Sequence, residues 1–254
     1  MIITLSPAKI MNFETHNILD IQATIPYFIN QANELANNLI NIPDNEIAKM
    51  MSINQKLAFT TLQQIKAFQL KRTPKKPAAL AYNGIAYLGL DFKSLSDTEI
   101  NYAQNHLLIF SGLYGVLRPL DLIKPYRLEM QIKLENKIGN DLYTFWKQTL
   151  TEHLIERLNK DDKIWVNLMS NEYTKVIDKK VLPKNIQIIT PDFKEQTSTG
   201  YRQVVVHTKK ARGMMARFII KNKINTVQGL KTFDEEGYMF SEELSDDKKW
   251  VFIR

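Results

Sequence analysis

The chain has 254 residues, no cysteine and a formal net charge of +7. Lack of cysteine removes disulfides, thiolate nucleophiles, iron–sulfur clusters and cysteine-based zinc sites, and fits a reducing interior. The length suffices for one domain burying roughly three quarters of its unfolded surface, and the excess of cations favours anionic partners.

Residues 2–5 read as an opening strand, stopped by the Ser6-Pro7 turn. No charged leader precedes it, and no stretch approaches the ~20 apolar residues of a membrane span, so a soluble, cytoplasmic protein without membrane contact is expected. Between residues 27 and 69 the apolar spacing is helical and breaks at Pro43, which predicts a helical hairpin or triplet. Lys66, Lys71, Arg72, Lys75 and Lys76 surround Pro74 and Pro77 and read as a basic loop. Residues 78–82, 107–110, 164–168, 186–190, 204–206 and 250–253 read as short apolar strands, with helices near 97–104 and 142–158. A further helix spans residues 209–221. Strands and helices interleave without a linker or repeat, so the expected fold is mixed α/β (α+β), with helices around a mixed sheet in a single domain of residues 1–254.

The strongest chemical signal lies in that last helix. From Gln196 to Lys223 the chain carries Arg202, Lys209, Lys210, Arg212, Arg217, Lys221 and Lys223 and no acidic residue. Lys210, Arg217 and Lys221 fall on one helical stripe beside an apolar face of Ala211, Met215, Phe218 and Ile219, so the helix can dock and still present charge to a polyanion. A strand at 204–206 would put Lys209, Lys210 and Arg212 near the positive end of the helix dipole, where a bound phosphate would offset the repulsion. The competing reading pairs these cations with the acidic segment containing Asp234, Glu235, Glu236, Glu242, Glu243, Asp246 and Asp247.

Three other segments carry polar groups at strand ends. Ser6-Pro7-Ala8-Lys9 offers a hydroxyl and an ammonium; its spacing matches an acyl-transfer pair, but neither Ser-Asp-Asn nor Lys-Thr-Gly occurs. Ser111-Gly112-Leu113-Tyr114-Gly115 precedes Arg118, Lys124, Arg127 and Glu129, and either its Gly-x-x-Gly turn holds a nucleic-acid backbone or the turn is internal, with Arg118 and Arg127 pairing to Asp121 and Glu129. Asn167 to Tyr173 ends a strand in a polar cluster where open α/β sheets place ligands; there Glu172 is a candidate base or a helix cap. His16, His106, His153 and His207 are scattered, and neither a Walker loop nor Gly-x-Gly-x-x-Gly occurs, so no metal and no cofactor is expected.

Together these blocks resemble the bacterial YaaA family of peroxide-stress-response proteins. Ser6 to Lys9, Tyr82 to Leu90, Ser111 to Met130, Asn167 to Tyr173, Lys209 to Ile220 and Phe233 to Phe240 are similar to successive family blocks across nearly the whole chain. The resemblance implies a single-domain mixed fold, sometimes called a cantaloupe fold, and a cytoplasmic protein that binds DNA through a basic cleft and a helix-hairpin-helix-like element. It also implies a role in limiting iron-driven oxidative damage, without established catalysis. The expected function is therefore non-enzymatic binding of double-stranded or structured DNA with little sequence preference, through Lys9, Arg118, Lys124, Arg127, Lys209, Lys210, Arg212, Arg217 and Lys221. The alternative is an enzyme acting on a nucleotide or nucleic acid in a pocket built from Ser6, Lys9, Arg118, Arg127, Asn171, Glu172 and Lys209. A closed pocket of small-molecule size would favour the second reading; an open basic groove as wide as a duplex would favour the first.

Overall fold

A computed structural model describes residues 1–14 and 22–254. In chain order the elements are β1 (Ile2–Leu5), α1 (Ile29–Ile40), α2 (Asp44–Met50), α3 (Gln55–Ala67), β2 (Lys76–Pro77), α4 (Ala78–Ala81), α5 (Ile85–Leu90), α6 (Asp97–His106), β3 (Leu107–Ser111), β4 (Gly115–Leu117) and β5 (Leu122–Ile123). There follow α7 (Leu142–Asn159), β6 (Ile164–Leu168), α8 (Asn171–Thr174), β7 (Gln187–Thr197), β8 (Gly200–Arg202), α9 (Val205–Asn222), α10 (Val227–Leu230), β9 (Met239–Ser241) and β10 (Lys249–Ile253).

The architecture is mixed α/β. The main sheet runs β4-β3-β1-β6-β7-β10-β9, with β8 paired to β7, and a small ribbon joins β2 to β5. Its central strands β3, β1, β6, β7 and β10 are mutually parallel, while β4, β8 and β9 add antiparallel partners. Central parallel strands are covered on both faces and read as short apolar runs, which is why β1, β3 and β6 were visible in the sequence. The long strand β7 pairs with β6 through Ile189, then with β10 from Thr190 onward, so Pro191 sits where one partner gives way to the next.

Helix starts follow local chemistry. Ser96 and Glu99 form a reciprocal capping box on α6, while Asp141 caps α7 and Asn54 caps α3. The residues 27–69 form a helical triplet, α1 to α3, as expected.

Two expected strands are helical. Residues 78–81 form one helical turn after Pro77, with the Ala78 and Ala79 N–H groups bonded to the carbonyls of Asp121 and Pro119. Alanine's helix preference prevails there, and Tyr82 contributes only an isolated bridge to Met11. Val205 and Val206 open α9 rather than ending a strand, and their side chains are 66% and 53% exposed. The β-forming preference of a valine run yields because α9 buries Ala211, Met215 and Ile219, a gain available only if the chain turns helical by this point. Lys209, Lys210 and Arg212 therefore lie beyond the first helical turn and are not set at the dipole's positive end.

Helix α9 crosses α5 at van der Waals limits. A methyl group at Gly213 would meet the Ala86 carbonyl oxygen at 1.7 Å, and one at Gly89 would meet the Lys210 carbonyl oxygen at 2.3 Å. Arg217 reinforces the crossing by donating to the Asp91 carbonyl and carboxylate at 3.2 and 3.1 Å, at the C-terminal end of α5.

Behind the sheet, His153 on α7 packs against Tyr27 and Phe28, at ring-centroid distances of 4.8 and 5.5 Å, with its Nε2 lacking a hydrogen-bond partner. Burial, aided by Arg157, lowers its pKa to about 4.

Two outcomes follow. Gly213→Ala gains helix propensity but forces the two backbones apart, so it should lower unfolding free energy by ~2 kcal/mol, measured by urea denaturation. The lowered His153 pKa means that an unfolded chain binds a proton near pH ~6.5 that the fold refuses until about pH 4. Stability should therefore fall by ~3 kcal/mol as pH drops across that window, and the fall should be smaller in His153→Phe.

Candidate functional site

The carboxyl ends of β1 and β6 lie side by side at the point where the chain's connections diverge, β3 on one flank of β1 and β6 on the other. Such a switch point leaves a crevice in an open α/β sheet. Here the crevice is a pocket of about 310 Å³.

Its floor is set by strand-end hydrogen bonds. Ser6 Oγ accepts from the Ser170 N–H at 2.9 Å and lies 3.3 Å from the Ser170 hydroxyl, joining the two strand ends. Asn167, buried near the end of β6, accepts from the Met169 N–H and donates to Thr174 Oγ1, which shapes the turn delivering Glu172. Tyr87 donates to the Ser6 carbonyl at 3.0 Å. One wall holds Tyr126, whose hydroxyl lies 2.7 Å from Ser111 Oγ and 2.6 Å from the Tyr82 hydroxyl. Because Ser111 Oγ already accepts the Leu113 and Tyr114 N–H groups, its own proton goes to Tyr126.

The pocket's charge is mostly positive. Lys9, Arg127, Lys209 and Arg212 line it against Glu129 and Glu172. Arg127 donates to Glu129 Oε1 at 2.7 Å, and Lys9 Nζ approaches the same oxygen at 3.1 Å. Four buried atoms around the pocket lack a hydrogen-bond partner: Arg127 Nε, Arg212 Nε, Glu129 Oε2 and Glu172 Oε1. Such atoms cost free energy unless a ligand satisfies them. Burial also lowers the Arg212 pKa, opposed by the charge of Asp192. For Glu172, burial together with Glu129 raises the pKa, opposed by backbone N–H groups of Gln131 and Met130 and by Lys9.

Several expected contact residues are engaged elsewhere. Arg118 donates to Asp121 Oδ1 and to the Ile25 carbonyl and covers the Tyr27 ring, outside the pocket. Lys124 bonds the Phe68 and Leu70 carbonyls. Lys210 pairs with Glu236, the one acidic partner that the C-terminal segment supplies to α9 among the described residues. Arg217 holds α5, as described. Lys221 is exposed at the far end of α9, and Asn171 is exposed beside the pocket without lining it.

The Gly-x-x-Gly turn is internal. Residues 111–117 are buried, Trp146 donates to the Gly112 carbonyl at 2.9 Å, and a methyl at Gly115 would meet the Trp146 ring at 2.8 Å. Its backbone therefore cannot contact a nucleic acid. Both internal pairs weighed from the sequence, Arg118 with Asp121 and Arg127 with Glu129, are present.

In the basic loop, Lys76 is buried on the Asn12 and Glu14 carbonyls and Lys66 pairs with Asp44. His106, His153 and His207 lie apart from the pocket lining, and His16 lies outside the described residues. Sequence reasoning missed Tyr126, Tyr173 and Ser170 as lining residues and saw Glu129 only as a partner for Arg127. The one available signal was their place within polar runs directly after strands.

The raised Glu172 pKa fixes a sign. Folding favours the protonated carboxyl, so the side chain costs nothing below the unfolded value near ~4.3 and becomes unfavourable as pH rises through the folded value. Glu172→Gln should therefore be more stable than the parent near pH ~8, with the difference fading toward pH ~4 in urea unfolding curves.

The sequence compares with known proteins along its whole length. The family model for peroxide stress protein YaaA matches residues 1–244. UPF0246 proteins from Paraburkholderia phytofirmans and Saccharophagus degradans are 41% and 42% identical over 100% of this chain, covering 98% and 99% of theirs. A relative from Colwellia psychrerythraea is 40% identical with 100% and 99% coverage. A full-length match of this kind, on a chain whose pocket is built from the very blocks that carried the resemblance, makes this protein a member of the YaaA peroxide stress family.

Proposed function

We propose that this protein serves the peroxide stress response by binding a phosphate-bearing nucleotide in the β1/β6 pocket, either free or as one unit of DNA. The observation carrying this reading is the convergence of Lys9, Arg127, Lys209 and Arg212 from three distant segments on one concavity, with two guanidinium Nε donors left without partners. Phosphate oxygens are strong acceptors for such donors, and a guanidinium engages them through paired hydrogen bonds. Size limits the occupant. A cavity of about 310 Å³ suits a nucleotide-sized group, whereas a duplex, whose major groove alone is about 12 Å wide, stays outside.

A second reading is the non-enzymatic binding of duplex DNA that the family resemblance implied. Its support is the acid-free stretch from Gln196 to Lys223, with Lys209 and Lys221 exposed on α9. Of the nine cations first assigned to DNA, Arg118, Lys124, Lys210 and Arg217 are engaged by the chain's own groups away from the pocket, so the phosphate-facing set contracts to Lys209, Arg212 and Lys221, with Lys9 and Arg127 shared with Glu129. In both readings the connection to iron-driven damage runs through the nucleic acid or nucleotide rather than through iron chelation.

Calorimetric titration with a deoxynucleoside monophosphate, a single strand and a duplex separates the sources. With three or four pocket cations engaged, single-strand affinity should fall against salt with a log–log slope of about −2 to −3. Arg212→Ala should weaken nucleotide and single-strand binding about tenfold or more. Absence of binding to the nucleotide and to the single strand would reject the pocket reading. Duplex binding that is indifferent to Arg212→Ala and to competing nucleotide would transfer the function to the outer face of α9.

A further inference from the structure

Glu129 and Glu172 have no role in holding phosphate. A carboxylate near a phosphate repels it, so two of them in a phosphate-binding pocket call for another reason. Glu129 is 5% exposed and borders the pocket; its Oε1 is ion-paired to Arg127 and Lys9, and its Oε2 is buried without a partner. Glu172 reaches the same pocket from the end of β6, its carbonyl anchored by the Tyr143 hydroxyl at 2.9 Å and its Oε1 without a partner. The two carboxyls thus sit in unlike surroundings, one ion-paired to two cations and one buried beside the backbone N–H groups of Gln131 and Met130. That asymmetry divides an acid from a base in glycoside hydrolysis.

We infer that the pocket is a hydrolytic centre for the N-glycosidic bond of a 5′-phosphorylated nucleoside, with Glu172 as general acid and Glu129 as general base. This rests on the nucleotide reading above. As the C1′–N bond breaks, its electron pair leaves with the base nitrogen, which takes the proton of the Glu172 carboxyl. Water forms the new C1′–O bond and gives its proton to Glu129. The products are the free base and a sugar phosphate, water is the sole co-reactant, and proton return from Glu129 to Glu172 through solvent resets the site. The positive charge that develops on the sugar is stabilised by the Glu129 carboxylate, while the phosphate stays on the arginines and Lys209. The direction of the Glu172 pKa, raised by burial, suits a proton donor.

The test incubates the full chain with the four deoxynucleoside 5′-monophosphates and with a single strand and a duplex of one sequence, each untreated and after oxidation by hydrogen peroxide, and reads free base and inorganic phosphate by chromatography. The expected result is release of free base with the phosphate retained on the sugar, reduced about 100-fold in Glu172→Gln. Glu172→Asp should retain partial activity with a shifted alkaline limb of the pH profile, which a merely structural role would not move. Because Glu129→Gln leaves Arg127 without its carboxylate and can fail to fold, its melting curve is measured beside its activity; a folded, fully active Glu129→Gln overturns the base assignment. Nucleotide binding without base release from any substrate, release of inorganic phosphate instead, or full activity in Glu172→Gln overturns the inference while leaving the binding proposal standing. No nucleotide or single-strand binding at all removes both.

Discussion

The near contact of the α5 and α9 backbones determines where the pocket's positive charge lies. Gly89 and Gly213 each have a backbone carbonyl where a side chain would begin, so the helices are held at a separation that no other residue pair would allow. Lys209 and Arg212 lie on the same turns of α9 as these contacts, and Ile85 to Tyr87 of α5 form the facing pocket wall. Loosening the crossing would move the cations away from Lys9 and Arg127. The clamp of Arg217 on Asp91 and the pairing of Lys210 with Glu236 fix the remaining freedom of α9, which gives these two cations a structural office.

Charge in this molecule is sorted by partner rather than by amount. The formal excess is +7, yet much of the cation set is consumed within the chain, on carboxylates or on backbone carbonyls. Exposed pairs of this kind contribute little to stability, but they decide which charges remain for a ligand. The cations that meet in the pocket come from the end of β1, from Arg127 and from one edge of α9. There the low-dielectric wall of Tyr87, Tyr126 and Tyr173 strengthens each electrostatic interaction.

The core strands were legible because parallel strands covered on both faces must be apolar throughout, and the long helices were legible through their spacing and caps. The 204–206 and 78–82 segments misled because intrinsic preference and tertiary context compete over only a few residues: the packing of α9 won at the first, and alanine's helix preference at the second. Ser6, Lys9, Arg127, Glu172 and Lys209 could be picked out as polar groups at strand ends or on a one-signed helix. Arg118 could not be separated from them, since nothing local distinguishes an arginine facing Asp121 from one facing a ligand. Glu129 looked like a neutralising partner because its second oxygen becomes meaningful only when the strand ends are brought together. Tyr126 carried no local signal of its own, and Tyr173 stood out only as the end of the polar run from Asn167; both are buried.

Strand β7 serves three neighbours in succession, giving its first residues to β6, the middle ones to β10 and the last to β8. Neither half of the sheet owns it. Detaching the C-terminal strands would strip hydrogen bonds from the same chain segment that closes the flank of β6, where Asn167 organises the turn bearing Glu172. The molecule consequently lacks a seam along which it could yield piecemeal. Ligand-site geometry and the integrity of the last fifteen residues should be inherited together, a mechanical reason for the chain to melt as a single cooperative body.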